Sequence, residues 1–360
     1  KKHNAKLVEF AGYEMPIQYS SGIIEEHKFT RSNSGIFDVS HMGQLYIYGS
    51  GDLSENLEKI FPADLKNLKI NQSKYSFLMN DNGGIYDDLI ITKLMNGFLI
   101  ILNAACKKND FEIIRSKVDK KFEMKLDDTL SLIAIQGPDS IKILNKIIPG
   151  CNELKFMNGN NFEYEGEKIY ITRSGYTGED GFEISVEDEL VEEFATDLLK
   201  SDYVNLAGLG ARDSLRLEGS LCLYGQDIKE DISPVEARLT WAIQKSRRED
   251  GERGRNFPGA TVIYNQIKNG VDKVRVGLIP EGKAPVRGGA KLYKEQEGKS
   301  LIGEVTSGGY SPSLGKPISM GYIFSKSGED FGKRIFAEVR GKLLPISIVD
   351  IPFLPNKFKR

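Results

Sequence analysis

The residues with the clearest chemical potential are 83–88, which read Gly-Gly-Ile-Tyr-Asp-Asp. The two glycines permit a tight turn, and the carboxylates Asp87 and Asp88 then precede the apolar run 89–91. Because successive strand residues point to opposite faces, only one of the two carboxylates can face an interior. A carboxylate held in an interior needs a partner or a task. On spacing alone, the favoured interpretation is that both acids simply end a hairpin turn.

The cysteines and histidines show no pattern that is typical of a metal site. Cys106, Cys151 and Cys222 are far apart and odd in number, which predicts free thiols in a reducing compartment rather than a disulfide framework. None of the three histidines is spaced from another histidine or from a cysteine as metal ligands are. We therefore expect no metal.

The composition excludes several classes of partner. The 360 residues are 40% hydrophobic and 28% charged, which is ordinary for a globular protein with two or three domains. A net charge of −2 does not favour a polyanion, so nucleic acid is not expected as a partner. The most apolar stretch, residues 85–105, is broken by Asp87, Asp88, Lys93 and Asn96 and is not expected to span a membrane.

Two segments of the first half resemble each other. The same residue types recur in the same order and spacing: Asp52, Leu57, Lys59, Ile60 and Pro62, then Asp139, Leu144, Lys146, Ile147 and Pro149. An apolar, strand-like run precedes each segment, so each unit predicts a strand, a turn and a short helix that ends at proline. Duplicated βα units suggest a split βαβ, ferredoxin-like arrangement, and coincidence is the alternative.

Further elements follow from periodicity and end signals. Helices are predicted over 22–32, 111–119, 187–200 and 209–218, and the capping box 233–236 predicts a further helical turn.

The last third of the chain has a different pattern. After residue 270, short runs rich in Val, Ile and Tyr alternate with Gly, Pro and Ser, which predicts an all-β barrel or sandwich. The segment 245–256 is almost wholly charged or polar and is predicted to be an exposed excursion with a solvated basic surface. Docking of an acidic carrier protein is the alternative for that surface. The lone Trp241 is predicted to lie in the core.

Seven blocks together resemble the aminomethyltransferase family, the T-proteins of the glycine cleavage system. The blocks are Phe10–Pro16, Phe37–Met42, Gly83–Asp88, Gly175–Glu183, Ala211–Glu218, Ser233–Ala237 and Thr306–Pro312. One such block is a weak signal, whereas seven in the family's order are specific. The similarity runs from about residue 7 to the end of the chain.

The resemblance implies an α+β class and a multi-lobed folate-binding aminomethyltransferase fold, with ferredoxin-like βα units and a C-terminal all-β barrel module. Residues 1–50 plus 136–270 are expected to form a folate-binding α+β domain. Residues 51–135 are expected to form an inserted, repeated α+β domain that carries Asp88. Residues 271–360 are expected to form the barrel domain, with a folate channel at the centre of the lobes.

The resemblance also implies the site residues. Asp88 matches the catalytic aspartate that lies beside the folate nitrogens. The folate-binding positions are Glu183, Arg212, Tyr75, Tyr176, Met42 and Phe358. Glu183 and Arg212 match the residues that hold the pterin and the bound folate. Phe358 stands where the family has a tyrosine, so its ring can pack but lacks the hydroxyl group.

The implied reaction passes a one-carbon unit from a lipoylated carrier protein, the H-protein, to tetrahydrofolate. The products are methylenetetrahydrofolate, ammonia and the dihydrolipoyl protein, and neither a metal nor a nucleotide is expected as cofactor. A buried carboxylate such as Glu183 can accept hydrogen bonds from the amino and ring N–H groups of a pterin. Asp88 can steer a weakly basic folate nitrogen or stabilise an iminium-like cation, and the sequence leaves both roles open.

The matched residues also have plainer interpretations. Without the resemblance, Arg212 is an ordinary charge on a helix surface, and Glu183 is a solvent-facing residue of an alternating strand. Met42 is expected to pack rather than to recognise a ligand. His41 is expected to be a hydrogen-bonded structural residue.

Two other functions compete with aminomethyl transfer. One is a folate-dependent demethylase of a small molecule on the same fold, and the other is a non-catalytic folate-binding accessory protein. The unbroken block 83–88 argues against the first, as does the lack of a flavin-binding domain. The residues around Cys222 follow the T-protein pattern and argue against the second. The expected compartment is the cytoplasm of a bacterium, or the mitochondrial matrix if the source is eukaryotic.

Overall fold

A hairpin, two β-sheets and a closed barrel form the protein in a computed structural model that describes residues 2–49, 51–324 and 334–359. The strands of the first two thirds are β1 (Lys6–Phe10), β2 (Tyr13–Gln18), β3 (Ser34–Asp38), β4 (Gly43–Tyr48), β5 (Ser73–Met79), β6 (Ile85–Leu94), β7 (Gly97–Leu102), β8 (Glu123–Asp127), β9 (Leu130–Gln136), β10 (Gly159–Tyr164), β11 (Glu167–Thr172), β12 (Gly181–Glu187) and β13 (Val204–Leu206). The remaining strands are β14 (Lys273–Pro280), β15 (Lys291–Tyr293), β16 (Leu301–Ser311), β17 (Lys316–Phe324), β18 (Arg334–Val339) and β19 (Lys342–Val349).

The helices pack on these sheets and between them. They are α1 (Ile23–Ser32), α2 (Leu53–Glu58), α3 (Lys107–Lys117), α4 (Ser140–Ile147), α5 (Val191–Leu198), α6 (Leu209–Glu218) and α7 (Ala260–Asn269), with 3-10 turns at Cys151–Glu153, Thr240–Ala242 and Lys245–Arg247. Within the described ranges, no helix is both long and apolar enough to cross a membrane.

The first sheet has the strand order β10-β11-β12-β9-β3-β13. Its buried face packs against α4 and α5 through residues such as Leu144, Phe194 and Leu198. Strand β12 alternates strictly, with Phe182 and its i+2 neighbours in this core. Glu183 therefore points to the opposite face of the sheet.

The second sheet has the order β5-β6-β7-β4-β8, in which every neighbouring pair is antiparallel. Its core lies against α2 and α3 and includes Leu57, Leu89 and Ile114. The sheet begins at Gly43, before the predicted domain boundary at residue 50. The division into three domains stays a prediction, and the strand pairing favours an earlier first boundary.

The predicted fold class is confirmed: helices and strands are mixed, and the C-terminal third is a closed six-stranded barrel, β14-β17-β16-β15-β18-β19. The two similar segments are indeed strand–turn–helix units, β4–α2 and β9–α4, and Asp52 and Asp139 stand at the two helix N-caps. The likeness extends further, because β5-β6-β7-β4 and β10-β11-β12-β9 are neighbours in the same relative order.

Most helix predictions hold, and α6 matches its predicted range. The predicted helix at 187–200 begins only at Val191, because Glu187 is the last residue of β12. The capping box forms both reciprocal hydrogen bonds between Ser233 and Glu236, at 2.7 and 3.1 Å. No helix continues from it, because Arg238 turns the backbone into the left-handed region, at φ 56°.

The prediction that residues 245–256 form a solvated surface is wrong for Arg247. Its guanidinium group is fully buried and donates to the Phe61 carbonyl oxygen, at 3.3 Å, and to Asn256 Oδ1, at 2.6 Å. It also lies 3.5 Å from the buried Glu58 carboxylate. Polar composition suggests exposure, but an arginine can be buried where acceptors surround it.

Helix α6 connects the part of the protein that holds the two sheets, called the lobes, to the barrel through charged groups. Arg216 is buried and pairs with Asp227 at 2.6 Å, while its Nη2 donates to Ser307 Oγ of β16 at 3.0 Å. Glu218 is also buried and lies 3.1 Å from His27 Nε2 and 2.8 Å from Arg31 Nη2. The fold therefore depends on charges that are satisfied from several parts of the chain at once.

We expect Glu218→Gln to destabilise the protein in a pH-dependent way. Burial alone raises the pKa of Glu218, but hydrogen bonds from His27 and Ser311 and the charge of Arg31 outweigh it and lower this pKa to about 2. A lowered carboxyl pKa adds stability above the unfolded value of 4.5, and this stability is lost as pH falls toward 2. The free energy of unfolding of wild type should exceed that of the variant by about 3 kcal/mol at neutral pH.

Denaturant unfolding from pH 7 to pH 2 measures this difference. The matched control is Glu281→Gln, which removes an exposed pair with Arg334 and should cost less than about 1 kcal/mol. A difference between wild type and Glu218→Gln that stays constant across the acid range contradicts the assignment.

Candidate active site

The two adjacent carboxylates lie in different environments. Strand β6 begins at Ile85, so Asp87 and Asp88 lie within the strand and the interpretation that they end a turn is wrong. Asp87 is fully buried on the core face, and Asp88 is half-buried on the opposite face. Gly84 permits this path, because a Cβ there would lie 1.7 Å from the Glu230 carbonyl oxygen.

Asp88 has two side-chain hydrogen-bond donors. The Tyr75 hydroxyl donates to its Oδ2 at 2.9 Å, and Asn103 Nδ2 donates to its Oδ1 at 3.0 Å. Burial and the neighbouring charge of Asp87 raise the pKa of Asp88 to about 7, and the two hydrogen bonds oppose that rise. A carboxyl group with this pKa can both take up and release a proton near neutral pH.

Asn103 is a site residue that the sequence reasoning missed. Its backbone N–H donates to Asp87 Oδ2 at 3.0 Å, and its Nδ2 donates to Asp87 Oδ1 at 2.8 Å as well as to Asp88. One amide therefore connects both carboxylates. The only signal in the sequence is an asparagine between an apolar strand and a helix, a position where its side chain often binds nearby backbone or polar groups.

An aromatic wall stands beside Asp88. The Tyr75 ring stacks on Trp241, with centroids 5.5 Å apart and planes 19° apart, and meets the edge of Phe77. The prediction that Trp241 lies in the core is wrong, because its side chain is 64% exposed. The 3-10 turn buries Ala242 instead and turns the tryptophan outward.

Tyr176 and Arg212 form the next part of the wall. The Tyr176 hydroxyl donates to the Cys222 carbonyl oxygen, and the Arg212 guanidinium lies 4.7 Å from the Tyr176 ring centroid. Arg212 is therefore not an ordinary surface charge. Its Nη1 is buried and has no hydrogen-bond partner among the described residues. A buried, unpaired donor of this kind indicates a place for an acceptor from outside the protein.

Glu183 lines a small cavity between the two sheets. Ile90 of β6 and Leu132 of β9 line the same cavity. The carboxylate accepts a hydrogen bond from Ser174 Oγ at 2.6 Å, so Glu183 is not a freely solvated strand residue. Asp88 lies on the same face of β6 as Ile90, and both carboxylates therefore face the space between the sheets.

Electrostatic coupling shows that these groups are neighbours. Besides burial, the charge of Asp88 raises the pKa of Tyr75 and of Tyr176. Burial lowers the pKa of Arg212, and the charge of Glu183 opposes this. Asp88 therefore contacts Tyr75 and lies near Tyr176, while Arg212 lies over the Tyr176 ring and near Glu183; these five residues are called the wall below.

The remaining predicted positions lie around this wall. Met42 is half-buried and packs against the cluster that contains Phe37 and Ala211, as its plainer interpretation predicted. Phe358 stacks on Phe156, with ring centroids 4.3 Å apart. Because Phe156 is not a member of the wall, the ligand role of Phe358 stays a prediction.

His41 differs from its predicted role. It is buried at the edge of the Phe10 ring, and its Nδ1 has no hydrogen-bond partner among the described residues. Burial and the charge of Arg212 lower the pKa of His41 to about 4. The imidazole is therefore neutral at physiological pH and adds no positive charge beside Arg212.

Comparison with known proteins finds domains of the glycine cleavage T-protein in both parts of the chain. The family described as GCVT N-terminal domain matches residues 1–247, and the glycine cleavage T-protein C-terminal barrel domain matches residues 273–354. The mitochondrial aminomethyltransferase of Dictyostelium discoideum is 42% identical over 381 residues, which cover 100% of this chain and 92% of that protein. The mitochondrial aminomethyltransferase of Mus musculus is 41% identical over 364 residues, which cover 99% and 88%.

A solved structure has the same fold. The crystal structure of glycine cleavage system aminomethyltransferase T from Bartonella henselae superposes with a TM-score of 0.91 at 40% identity. The match covers 100% of this chain and 97% of that chain.

The stacking of Trp241 on Tyr75 predicts an optical signal for Asp88. Because the sequence has one tryptophan, its emission should change as Asp88 titrates, with a midpoint near pH 7. Asp88→Asn should abolish this transition, whereas Asp128→Asn, at an exposed position, should keep it. A fluorescence titration from pH 5 to pH 9 measures it, and a wild-type midpoint near the ordinary aspartate value of about 4 contradicts the raised pKa.

Proposed function

The chain belongs to the glycine cleavage T-protein family and is an aminomethyltransferase, and we propose that it transfers its one-carbon unit to tetrahydrofolate held against Asp88. The observation that carries this proposal is the Asp88 carboxyl group. It is oriented by two donors, has a pKa near neutrality, and shares a wall with Glu183 and the unpaired donor of Arg212.

The wall suits the chemistry of a reduced folate. The pterin is flat and carries N–H donors along one edge. The Glu183 carboxylate can accept hydrogen bonds from these donors. The unpaired Arg212 Nη1 can donate to a ligand oxygen or ring nitrogen. The Tyr75 and Trp241 rings offer faces for the aromatic parts of the ligand, each well-placed pair contributing about 0.5–1.5 kcal/mol.

The reaction exchanges two bonds of the methylene carbon. Its bonds to the carrier sulfur and to the amine nitrogen break, and two bonds to folate nitrogens form. The folate nitrogens lose two protons in total, of which one goes to the leaving ammonia and the other to the leaving thiolate. A group at Asp88 that gains and loses a proton near pH 7 can relay these transfers and balance the charge of an iminium-like intermediate.

Positioning contributes alongside proton transfer. The two sheets enclose the cavity beside Glu183 with apolar side chains such as Ile90, Ile101 and Leu132. Side chains of this kind exclude water from the methylene carbon and hold the folate amines near it.

The partner and the compartment follow from the activity. We infer that a lipoylated carrier protein, the H-protein of the glycine cleavage system, delivers the aminomethyl group. We also infer that the enzyme acts in the mitochondrial matrix if its source is eukaryotic, as the names of the Dictyostelium and mouse relatives say of those proteins, and in the cytoplasm if its source is bacterial.

A direct assay tests the activity together with the role of Asp88. The protein is mixed with tetrahydrofolate and a lipoylated carrier loaded with the aminomethyl group, and ammonia and methylenetetrahydrofolate are measured. We expect Asp88→Asn to lower turnover by roughly 10²-fold or more, which is the effect of losing a positioned acid–base group.

Folate affinity separates this effect from a loss of binding. Titration of Trp241 fluorescence with tetrahydrofolate should give a dissociation constant for Asp88→Asn within about tenfold of wild type, since one neutral hydrogen bond contributes only about 1 kcal/mol. Near-normal turnover of the variant removes Asp88 from the mechanism. Wild-type protein that releases no ammonia above background overturns the proposed reaction.

Arg212→Lys should weaken tetrahydrofolate binding by about tenfold to a hundredfold. A lysine keeps the positive charge but loses the planar group over Tyr176 and the Nη1 donor, and a hydrogen bond from a charged group contributes about 1.5–3 kcal/mol. The same titration measures it, with Arg115→Lys at an exposed position of α3 as control. Equal affinity of both variants and wild type means that Arg212 does not contact the folate.

A further inference from the structure

A buried cluster of acidic groups lies behind Asp88, on the core side of β6. One ligand-type atom from each of Asp87, Cys106 and Asp110 lies within 4.8 Å of the others. Asp87 and Asp110 are both fully buried, and Cys106 is half-buried at the N-cap of α3. Two carboxyl groups at this distance in an interior cannot both remain charged without large cost.

Among the residues that the structure describes, the hydrogen-bond donors near this cluster contact only one of the two carboxyl groups. Asp87 accepts hydrogen bonds from the backbone N–H and from Nδ2 of Asn103. Neither side-chain oxygen of Asp110 receives a hydrogen bond from the described residues. An ionised Asp110 would therefore be a buried, unsatisfied anion beside a second anion, whereas a protonated Asp110 has an O–H that Asp87 can accept.

We propose that Asp110 is a neutral carboxylic acid that donates a hydrogen bond to Asp87, and that this pair, acting through Asn103, positions Asp88 for proton transfer. Asp110 is thus a positioning residue of the proposed reaction, and its catalytic effect rests on that proposed function. The geometry connects the two carboxylates directly, because Asn103 Nδ2 contacts Asp87 Oδ1 at 2.8 Å and Asp88 Oδ1 at 3.0 Å.

The electrostatics agree with this order of protonation. Burial and the charge of Asp87 raise the pKa of Asp110 to about 10. Burial also raises the pKa of Asp87, but hydrogen bonds from Asp110 and Asn103 oppose that rise. At neutral pH the pair therefore holds one proton and one negative charge, and it titrates as a unit.

The single charge of the pair matters for Asp88. It is the second cause, after burial, of the raised pKa of Asp88. The other titratable groups that face the pair are Cys106 and Tyr224, and burial together with these carboxylates raises the pKa of both. They stay neutral near pH 7, so Asp87 and Asp88 are the groups whose charge decides the local field.

A bound metal ion is the rival explanation for the same three residues. It requires a cysteine thiolate, whereas burial and the two neighbouring carboxylates favour the neutral thiol of Cys106. Metal analysis of the purified protein tests this rival. A stoichiometric metal that is lost in Asp110→Asn overturns the proton assignment.

Infrared spectroscopy of the full-length protein tests the proton without any substrate. At about pH 8.5, above the pKa of Asp88, a protonated carboxyl band should be present in wild type and in Asp88→Asn and absent in Asp110→Asn. Absence of the Asp110 band in wild type overturns the inference. Because this measurement needs no reaction, its result holds even if the proposed function fails.

Two substitutions at position 110 test the positioning role. Asp110→Asn keeps a donor to Asp87 and should retain turnover within about threefold of wild type. Asp110→Ala removes the donor and should lower kcat by about tenfold or more with little change in KM, and it should shift the midpoint of the Trp241 fluorescence titration. That midpoint gives a readout of Asp88 even if turnover is absent in wild type.

The comparison between the two variants decides the matter. Circular dichroism and thermal unfolding establish that both variants fold. If Asp110→Asn is as impaired as Asp110→Ala, or if neither variant moves the fluorescence midpoint, Asp110 does not position Asp88.

Discussion

The buried charges of helix α6 are the constraint on which the rest of the structure depends. Arg216 and Glu218 are satisfied only when the barrel strand β16, the loop that carries Asp227 and the helix α1 are all in place. Because an unsatisfied charged group in an interior is costly, these hydrogen bonds favour a fixed position of β16 against α6. The same helix carries Arg212 to Tyr176. The position of the barrel and the geometry of the site are therefore set by one element.

The alternation of strand β6 places two adjacent carboxylates in different environments. Asp87 faces the core, where it accepts hydrogen bonds and holds a charge that ligand cannot reach. Asp88 faces the space between the sheets, where the charge of its neighbour shifts its pKa toward neutrality. Two carboxyl groups of the same chemical type can have separate roles because different environments move their pKa values apart.

Sequence reasoning reached those features that are encoded locally. The ends of α6, the strand-rich barrel and the alternation of β6 all follow from patterns of a few residues. Trp241 and Arg247 were predicted wrongly because their surroundings come from distant parts of the chain. Trp241 is exposed and stacks on Tyr75. Arg247 is buried because the carbonyl oxygens of Glu58 and Phe61 accept its hydrogen bonds. Asn103 was missed for the same reason, since its importance lies in strand pairing that brings it to Asp87.

The internal repeat explains why the site lies where it does. The two units place β4 and β9 at equivalent positions in their sheets, and these strands meet: Gln44 Nε2 of β4 lies 3.4 Å from the carbonyl oxygen of Ser131 in β9, the corresponding position of the second unit. Contact between equivalent residues is the mark of a two-fold arrangement. The faces of the two sheets then enclose one shared cavity, to which Ile90 comes from one unit and Glu183 from the other. The Asp88 and Glu183 carboxylates, for which we propose roles in proton transfer and ligand recognition, thus come from different units and face the space between the two sheets.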